Sequence, residues 1–502
     1  MDSPKNRNQP EHGIALILAL LAILILSVLA ASIIFLTQTQ TWRTIDYRLT
    51  SQSRYAAEAG VQRTMNWFTH SYTLPSNFGS YDMTKYPVQY NGKAVVLSAM
   101  SGTSANYPDS SVSSAYSTAL SSQSMPGVAN ASFSTYATLL RMNVGFGVSW
   151  LPGTGVAQTW QITSQGNIAG VPAAQVQLVA TYDRFLPPIF AYAVAGDSNA
   201  CGTVTISSGI VDSWNSAQGN YSSTHQNFGG NIATNGNVTL SGASTQIEGN
   251  ILNSSNINVG SCPAGITNNV GAGTPWNGLQ QLTRPLSYAP PILPSPMTPT
   301  TNLSVTDNTC WGSDPGGCSV STTTSGCNGG AAPCVNIAPG SYGNITSNST
   351  VHLIAGTYYI NSLNLSDGSI TLDSTPVVID LGGNGVTGGG TLFASTSSTT
   401  FNTGGIPASL QIVTACCTMA GGPMQMPNPP VITITSSSAM YAVVYAPNAL
   451  VHITGNSQFL GAVIAQTATC DSTGGISYDQ ALQKSLLKVG NFAAVNYSWS
   501  KF

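Results

Sequence analysis

The chain has 502 residues, of which only 6% are charged, 14 Lys and Arg against 17 Asp and Glu. Ordinary soluble domains carry roughly 25%, and the deficit is uneven: between Phe185 and Gln483 the sole basic residue is Arg284, against ten acidic ones. A basic face for nucleic acid is therefore excluded, and a chain of this length is expected to divide into two or three domains.

The first element is also the plainest. Ile14 to Leu36 contains no charge, proline or glycine, and its only polar side chains are Ser27 and Ser32. As a helix rising 1.5 Å per residue it is roughly 34 Å long, enough to cross a bilayer core. Leu18, Leu20, Leu24 and Leu29 belong to this apolar, membrane-spanning run. A cleaved signal peptide has an apolar core of only about 7–15 residues, so the run predicts a retained span. Beyond it Trp42, Ile45 and Leu49 keep helical spacing, with Arg43, Asp46, Arg48 and Arg54 between them. After Gly13 the first glycine is Gly60, and the first proline of this region is Pro75. One continuous helix of about fifty residues is predicted, apolar at first and amphipathic later. Lys5 and Arg7 before the span are balanced by arginines after it, so charge leaves the orientation open.

Three features of this stretch go together: a polar leader ending in Gly13, the run GIALILALLAILILSVLAAS, and SRYAAEAGVQRTM, which holds Ala56, Ala57, Glu58, Ala59 and Gly60. As a set they resemble the PilX N-terminal family of type IV pilus assembly proteins, the minor pilins. This matching stretch covers about sixty residues. It implies cleavage by a prepilin peptidase between Gly13 and Ile14, with the methylation that accompanies processing in that family. It also implies a single inner-membrane span with a cytoplasmic N-terminus and a periplasmic bulk that becomes extracellular in a pilus. The partners it implies are other pilins or minor pilins, the peptidase, the inner-membrane assembly platform, and a surface receptor or glycan. Major pilins usually carry glutamate at the fifth mature position, where this chain has Leu18. PilX-type minor pilins and the similar pseudopilin of type II secretion also lack it.

Residues 71–184 read as an α+β headpiece. Tyr72 to Asp109 is irregular, while Ala137–Trp150 and Thr159–Asp183 read as antiparallel strands, with Val176, Leu178 and Ala180 on one face. Gly166 to Ala173 is the expected hairpin turn, and Leu186 to Pro188 ends the unit.

From residue 185 to 482 an internal repeat appears. GNIATNGNVTL at Gly230 returns nineteen residues later as GNILNSSNINV at Gly249. The alignment sets Ile232 over Ile251, Val238 over Ile257 and Leu240 over Val259, with Asn235 in an exposed turn. The same spacing links Val351 and Leu353 to Ile370 and Leu372, and AVVYA at Ala442 to GAVIA at Gly461. Short strands separated by Asn, Gly and Ser turns, repeated in register, predict a β-solenoid whose coils bury their apolar sides against each other. A right-handed coil is preferred; a β-sandwich is the alternative. Tyr445 to Ala465 also looks like the C-terminal β-helical region of some PilX-type proteins. About 271–338 reads as a Pro- and Cys-rich insertion, and 483–502 as a helix end and a terminal strand.

Cys310, Cys318, Cys327 and Cys334 cluster in that insertion without a C-x-x-C pair or a nearby histidine. Two local disulfides in an oxidising compartment are expected, with connectivity open. The five histidines are scattered, and His352 and His452 are expected on an exposed coil face. Asp367, Asp373 and Asp380 are the candidate acidic cluster, and Asp212 sits in VDSW. No catalytic or metal residues and no cofactor are expected. The sequence reads as a structural and interaction protein, displaying an adhesive or interacting solenoid. The alternatives are a membrane-anchored β-helix carbohydrate-active enzyme and a pseudopilin tip subunit.

Overall fold

The computed structural model describes residues 12–74, 78–121, 123–124, 130–146, 148, 150–151, 155–169, 176–184, 187–254, 266–270, 275–291, 301–311, 317–327, 332–382, 390–414, 429–436, 438–488 and 492–501. The fold is mainly β, with one long N-terminal helix, His12–His70. It divides into two bodies. The first takes its residues from Met1–Val144, Val156–Phe185 and Gly490–Phe502, and the second from Gly145–Gly155 and Leu186–Val489. Residues 145–155 thus belong with the second body, although the sequence reading set them in the headpiece.

In the first body the second half of the helix lies on a six-stranded sheet. The order is Val96–Ser98, Ala131–Phe146, Gly155–Ile168, Val176–Arg184 and Phe492–Lys501, with Gln123–Ser124 beside Ala131–Phe146. Thr159↔Asp183 and Phe492↔Arg184 pair antiparallel, so the last strand of the chain returns to this sheet. Ala57, Val61, Trp67 and Phe68 are buried on the helix side. Trp67 meets Tyr116 edge-on at 5.1 Å, and Phe68 lies 5.0 Å from Trp160; such aromatic pairs add to the gain from area burial. Tyr116 comes from a helix, Ser110–Leu120, that has no counterpart in the sequence reading. Its serine-rich sequence hides the signal: Asp109 caps the N-terminus by accepting from the Ser111 and Val112 amides, and only Val112, Tyr116 and Leu120 are buried.

The second body is a stack of parallel strands. One ladder passes from Val377–Leu381 through Leu410–Thr414, Met440–Gly455 and Phe459–Cys470 to Val194–Gly196, then Ile232–Thr234, Gln246–Ser254 and Trp276–Leu282. Another runs from Leu303–Thr306 through Gly340–Ser347, Gly356–Leu365, Thr391–Ser395 and Val431–Ser436, reaching Val204–Ile206, Val238–Leu240 and Ile266–Asn268. A further ladder joins Cys334–Ile337, Thr350–Leu353, Ser369–Leu372 and Phe401–Asn402. The pattern is compatible with a β-solenoid, and its buried side is a continuous core of Val, Ile and Leu.

The nineteen-residue register holds for Ile232↔Ile251, Val351↔Ile370, Leu353↔Leu372 and Ala442↔Gly461. It fails for Val238, whose partner is Ile266 instead of Ile257, and for Leu240, which pairs with Asn268; residues 255–265 lie outside the described residues. The coil therefore lengthens on one face while the other keeps step. Within 271–338, Trp276–Leu282, Leu303–Thr306 and Cys334–Ile337 all belong to the ladders, so the interruption is smaller than the composition suggests. Prolines and cysteines mark the connections but do not exclude strands between them.

The order of stacking is not the order of the chain. Val194–Gly196 and Val204–Ile206 have the last long strand, Phe459–Cys470, on one side and Ile232–Thr234 and Val238–Leu240 on the other. Ile476–Asp479 lies between Phe459–Cys470 and Ile210–Trp214. One rung is thus composite, built from the beginning and the end of the body. This closure also covers strand edges that would otherwise be left unpaired.

Candidate functional site

The stalk helix carries the residues singled out by the sequence. Gly13 and Ile14 lie in its first turn, and residues 1–11 fall outside the description. Leu18, Leu20, Leu24 and Leu29 are all exposed, and Ile14 to Leu36 has no partner surface within the described residues. It is the one described helix long and apolar enough to cross a membrane. The few hydroxyls there are satisfied internally: Ser27 donates to the Leu24 carbonyl and Ser32 to the Val28 carbonyl, each at 2.8 Å. Thr37, Thr39, Thr41 and Thr44 do the same one turn back. A segment whose polar groups all close on its own backbone loses little on leaving water.

The Ala56–Gly60 element sits where the helix touches the sheet. Ala56 and Ala57 are fully buried, and a Cβ at Gly60 would fall 2.2 Å from Ser164 Oγ and 2.9 Å from the Phe133 ring. The sheet answers with its own glycine: a Cβ at Gly166 would meet the Ser53 carbonyl oxygen at 2.0 Å. Ser53 Oγ donates to the Gly166 carbonyl at 2.6 Å. Small residues on both partners let the two backbones approach. Glu58 points away from the contact and pairs with Arg54 at 3.0 Å on the helix surface.

All four expected cysteines are bonded, as Cys310–Cys318 and Cys327–Cys334. The first bridge ties the hairpin strand Thr309–Trp311 to Cys318–Ser321, and the second joins the turn at Ser325–Cys327 to a ladder strand. Cys201 is also disulfide-bonded, and Cys470 is a buried free thiol. Cys262, Cys416 and Cys417 lie outside the described residues.

Three histidines pair with carboxylates. His352, expected on an exposed face, is buried, with Nδ1 2.8 Å from Asp373 Oδ1. His452 Nε2 lies 2.6 Å from Asp471 Oδ2. Asp367, Asp373 and Asp380 do not gather: Asp367 takes the Thr396 and Ser398 hydroxyls, Asp373 holds His352, and Asp380 is buried in register with Tyr359 and Val413.

The third pairing joins residues far apart in sequence. Val211 pairs with Ile247, which sets Asp212 beside Glu248 on neighbouring parallel strands. The chain then leaves the ladder, forms a short turn of helix at Tyr221–Thr224, and returns. His225, just past that turn, places Nε2 2.9 Å from Asp212 Oδ2 and 3.6 Å from Glu248 Oε2. Tyr221 donates its hydroxyl to Asp212 Oδ2 at 2.5 Å, and its own pKa is pushed up to about 12 by burial and by that carboxylate. Burial raises the carboxyl pKa of both Asp212 and Glu248; at Glu248 the Asp212 charge adds to it, while His225 opposes it at both. Among the described residues this is the one group of three or more His, Cys, Asp or Glu side chains close enough to hold a metal ion. The sequence does carry a trace of it: VDS at Val211 and IEG at Ile247 share an apolar–acidic–small pattern. Nothing in the sequence marks His225, because the excursion that delivers it has no repeat.

Residues 423–485 match a domain family of unknown function, DUF7305. The described part of that match holds the strands Val431–Ser436, Met440–Gly455, Phe459–Cys470 and Ile476–Asp479 and the short helix Leu482–Ser485. The Gly13–Met65 stretch lies outside it. No curated protein matches the chain. Among solved structures, the competence-associated pilin ComZ from Thermus thermophilus aligns over 90% of this chain and 97% of its own, at 10% identity and a TM-score of 0.26. A likeness of that size carries no weight in the reading below.

Proposed function

We propose that this chain is a minor pilin-like structural subunit of a type IV pilus or related filament, anchored by its N-terminal helix and displaying a β-solenoid as an interaction domain. The observation that carries the reading is the helix itself. A single unbroken element, His12–His70, leaves its apolar half uncovered and lays its other half on an antiparallel sheet through Ala57 and Gly60. An uncovered apolar half needs either lipid or the helices of neighbouring subunits, and a filament built from a membrane pool supplies both in turn. In this reading the partners are other pilins, a prepilin peptidase and the assembly platform, with the bulk of the chain on the far side of the inner membrane. The role is non-catalytic. The burial of the adjacent carboxylates Asp212 and Glu248, 1% and 8% exposed, supports a structural role for them.

The test is processing. Co-expression with a prepilin peptidase should yield a chain starting at Ile14, read by intact mass. Gly13→Leu should block the cut. An uncut Met1, or a cut beyond Ala30, would sink the pilin reading.

A further inference from the structure

We propose that Asp212, His225 and Glu248 form a binding site for a zinc-type divalent transition-metal ion, which clamps the Asn215–Gly229 excursion onto the solenoid. The argument starts from charge. Asp212 and Glu248 stand side by side on adjacent parallel strands, and the whole residues are 99% and 92% buried. Two like charges at that separation and burial repel unless a positive charge lies between them or one of them takes up a proton. The Nε2 atom of His225 faces both carboxylates, and all three donor atoms lie within 4.8 Å of one another. With a neutral imidazole presenting its lone pair, three lone pairs would converge on one point.

A proton on His225 answers this only in part, since it brings one positive charge to two carboxylates. The hydrogen bonding is also incomplete. Asp212 Oδ1 and Glu248 Oε2 are both buried without a hydrogen-bond partner. Buried carboxylate oxygens left so are costly, and a cation satisfies them. Tyr221, fixed by its hydrogen bond to Asp212 Oδ2, orients that carboxylate. The donor set selects the metal. One imidazole nitrogen and two carboxylate oxygens suit Zn²⁺, and they suit the all-oxygen preferences of Ca²⁺ and Mg²⁺ poorly. Three protein donors leave a fourth position for water. The His225 side chain is 37% exposed, which gives the ion a route in from solvent.

A bound ion would reinforce contacts that the excursion already makes. Ser216 donates its amide and hydroxyl to Asp479, and Gln226 accepts from Gln480, near the two ends of the excursion; a metal bond through His225 would add a tie to two strands at once. The site has no need of the anchoring helix, so it stands or falls independently of the pilin reading.

The experiment uses the full chain in detergent, stripped with chelator and titrated with ZnCl₂ by calorimetry. One tight equivalent is expected, with no comparable uptake of CaCl₂ or MgCl₂. Glu248→Gln and His225→Gln should each weaken it at least tenfold, whereas Cys416→Ser with Cys417→Ser should leave it unchanged. Loss of the equivalent in the cysteine variant, retention in the other two, or preference for Ca²⁺ would overturn the proposal. If a ligand variant fails to fold, the wild-type chain decides: zinc should protect His225 from diethyl pyrocarbonate in peptide mapping, and full modification in its presence would refute the site.

Discussion

Tyr478 donates its hydroxyl to the carbonyl oxygen of Phe190 at 2.7 Å, across 288 residues of sequence, and both residues are buried. The bond lies where the end of the second body meets its beginning. Val463 pairs with Val194 and Ile476 with Val211 at the same junction, so the stack is closed by its own two ends.

Tyr478→Phe tests that closure. It keeps the ring and leaves the Phe190 carbonyl buried without its donor, which should cost about 1–3 kcal/mol. Chemical denaturation followed by tyrosine and tryptophan fluorescence reads the change. An unchanged midpoint would mean that the junction is not part of the cooperative unit.

The helix–sheet contact makes a sharper demand. At Gly166 an added methyl meets backbone atoms, the Ser53 carbonyl at 2.0 Å and the Ala57 amide nitrogen at 2.7 Å. Neither can rotate away. Gly166→Ala should therefore destabilise the first body by about 2 kcal/mol or more, in the range of overpacked cores. Gly60→Ala should cost less, because its nearest obstacle, Ser164 Oγ, is a side-chain atom. Equal losses in thermal melts would argue against a backbone-limited approach.

Asn235 is no solvent-facing turn residue. Its amide donates to the Asp197 carbonyl at 3.0 Å and the Leu286 carbonyl at 2.9 Å, and its Oδ1 accepts from the Leu286 amide at 2.6 Å. It ties the connection after Trp276–Leu282 to the rungs. Ile251→Ala should cost about 2–5 kcal/mol through its cavity. Asn235→Ala should also be costly, about 1–3 kcal/mol, through orphaned partners. A loss below about 0.5 kcal/mol for Asn235→Ala, the usual surface value, would show that the tie contributes nothing.

Asp197 gives a pH dependence. Burial lifts its carboxyl pKa to about 7, against about 3.9 in an unfolded chain. Between those values the folded state binds more protons than the unfolded one, so stability falls as pH rises. The contribution is fully present below about pH 4 and lost above about pH 7, and it amounts to a few kcal/mol at most. Melting temperatures at pH 4.5 and 7.5 should differ less for Asp197→Asn than for the wild type. Identical pH slopes would show that the carboxyl titrates normally.

The sequence by itself determined the elements whose signals are local or periodic. Ile14 to Leu36 is apolar at every turn, and the backbone of a helix bonds only to its near neighbours, so His12–His70 follows from residues within a few positions of each other. The pairs Ile232↔Ile251 and Val351↔Ile370 were legible because parallel stacking in register copies one coil's pattern into the next. Cys310, Cys318, Cys327 and Cys334 announced themselves by crowding. What the tertiary structure decided has no period. The composite rung sets Val194 against Val463, and the ladder sets Asp212 against Glu248, with His225 brought over them by an excursion that occurs once. Such contacts depend on where a coil gains or loses residues, as between Leu240 and Ile266. A gain of that kind breaks the nineteen-residue spacing where it falls, although the spacing returns at Val351↔Ile370 and Ala442↔Gly461.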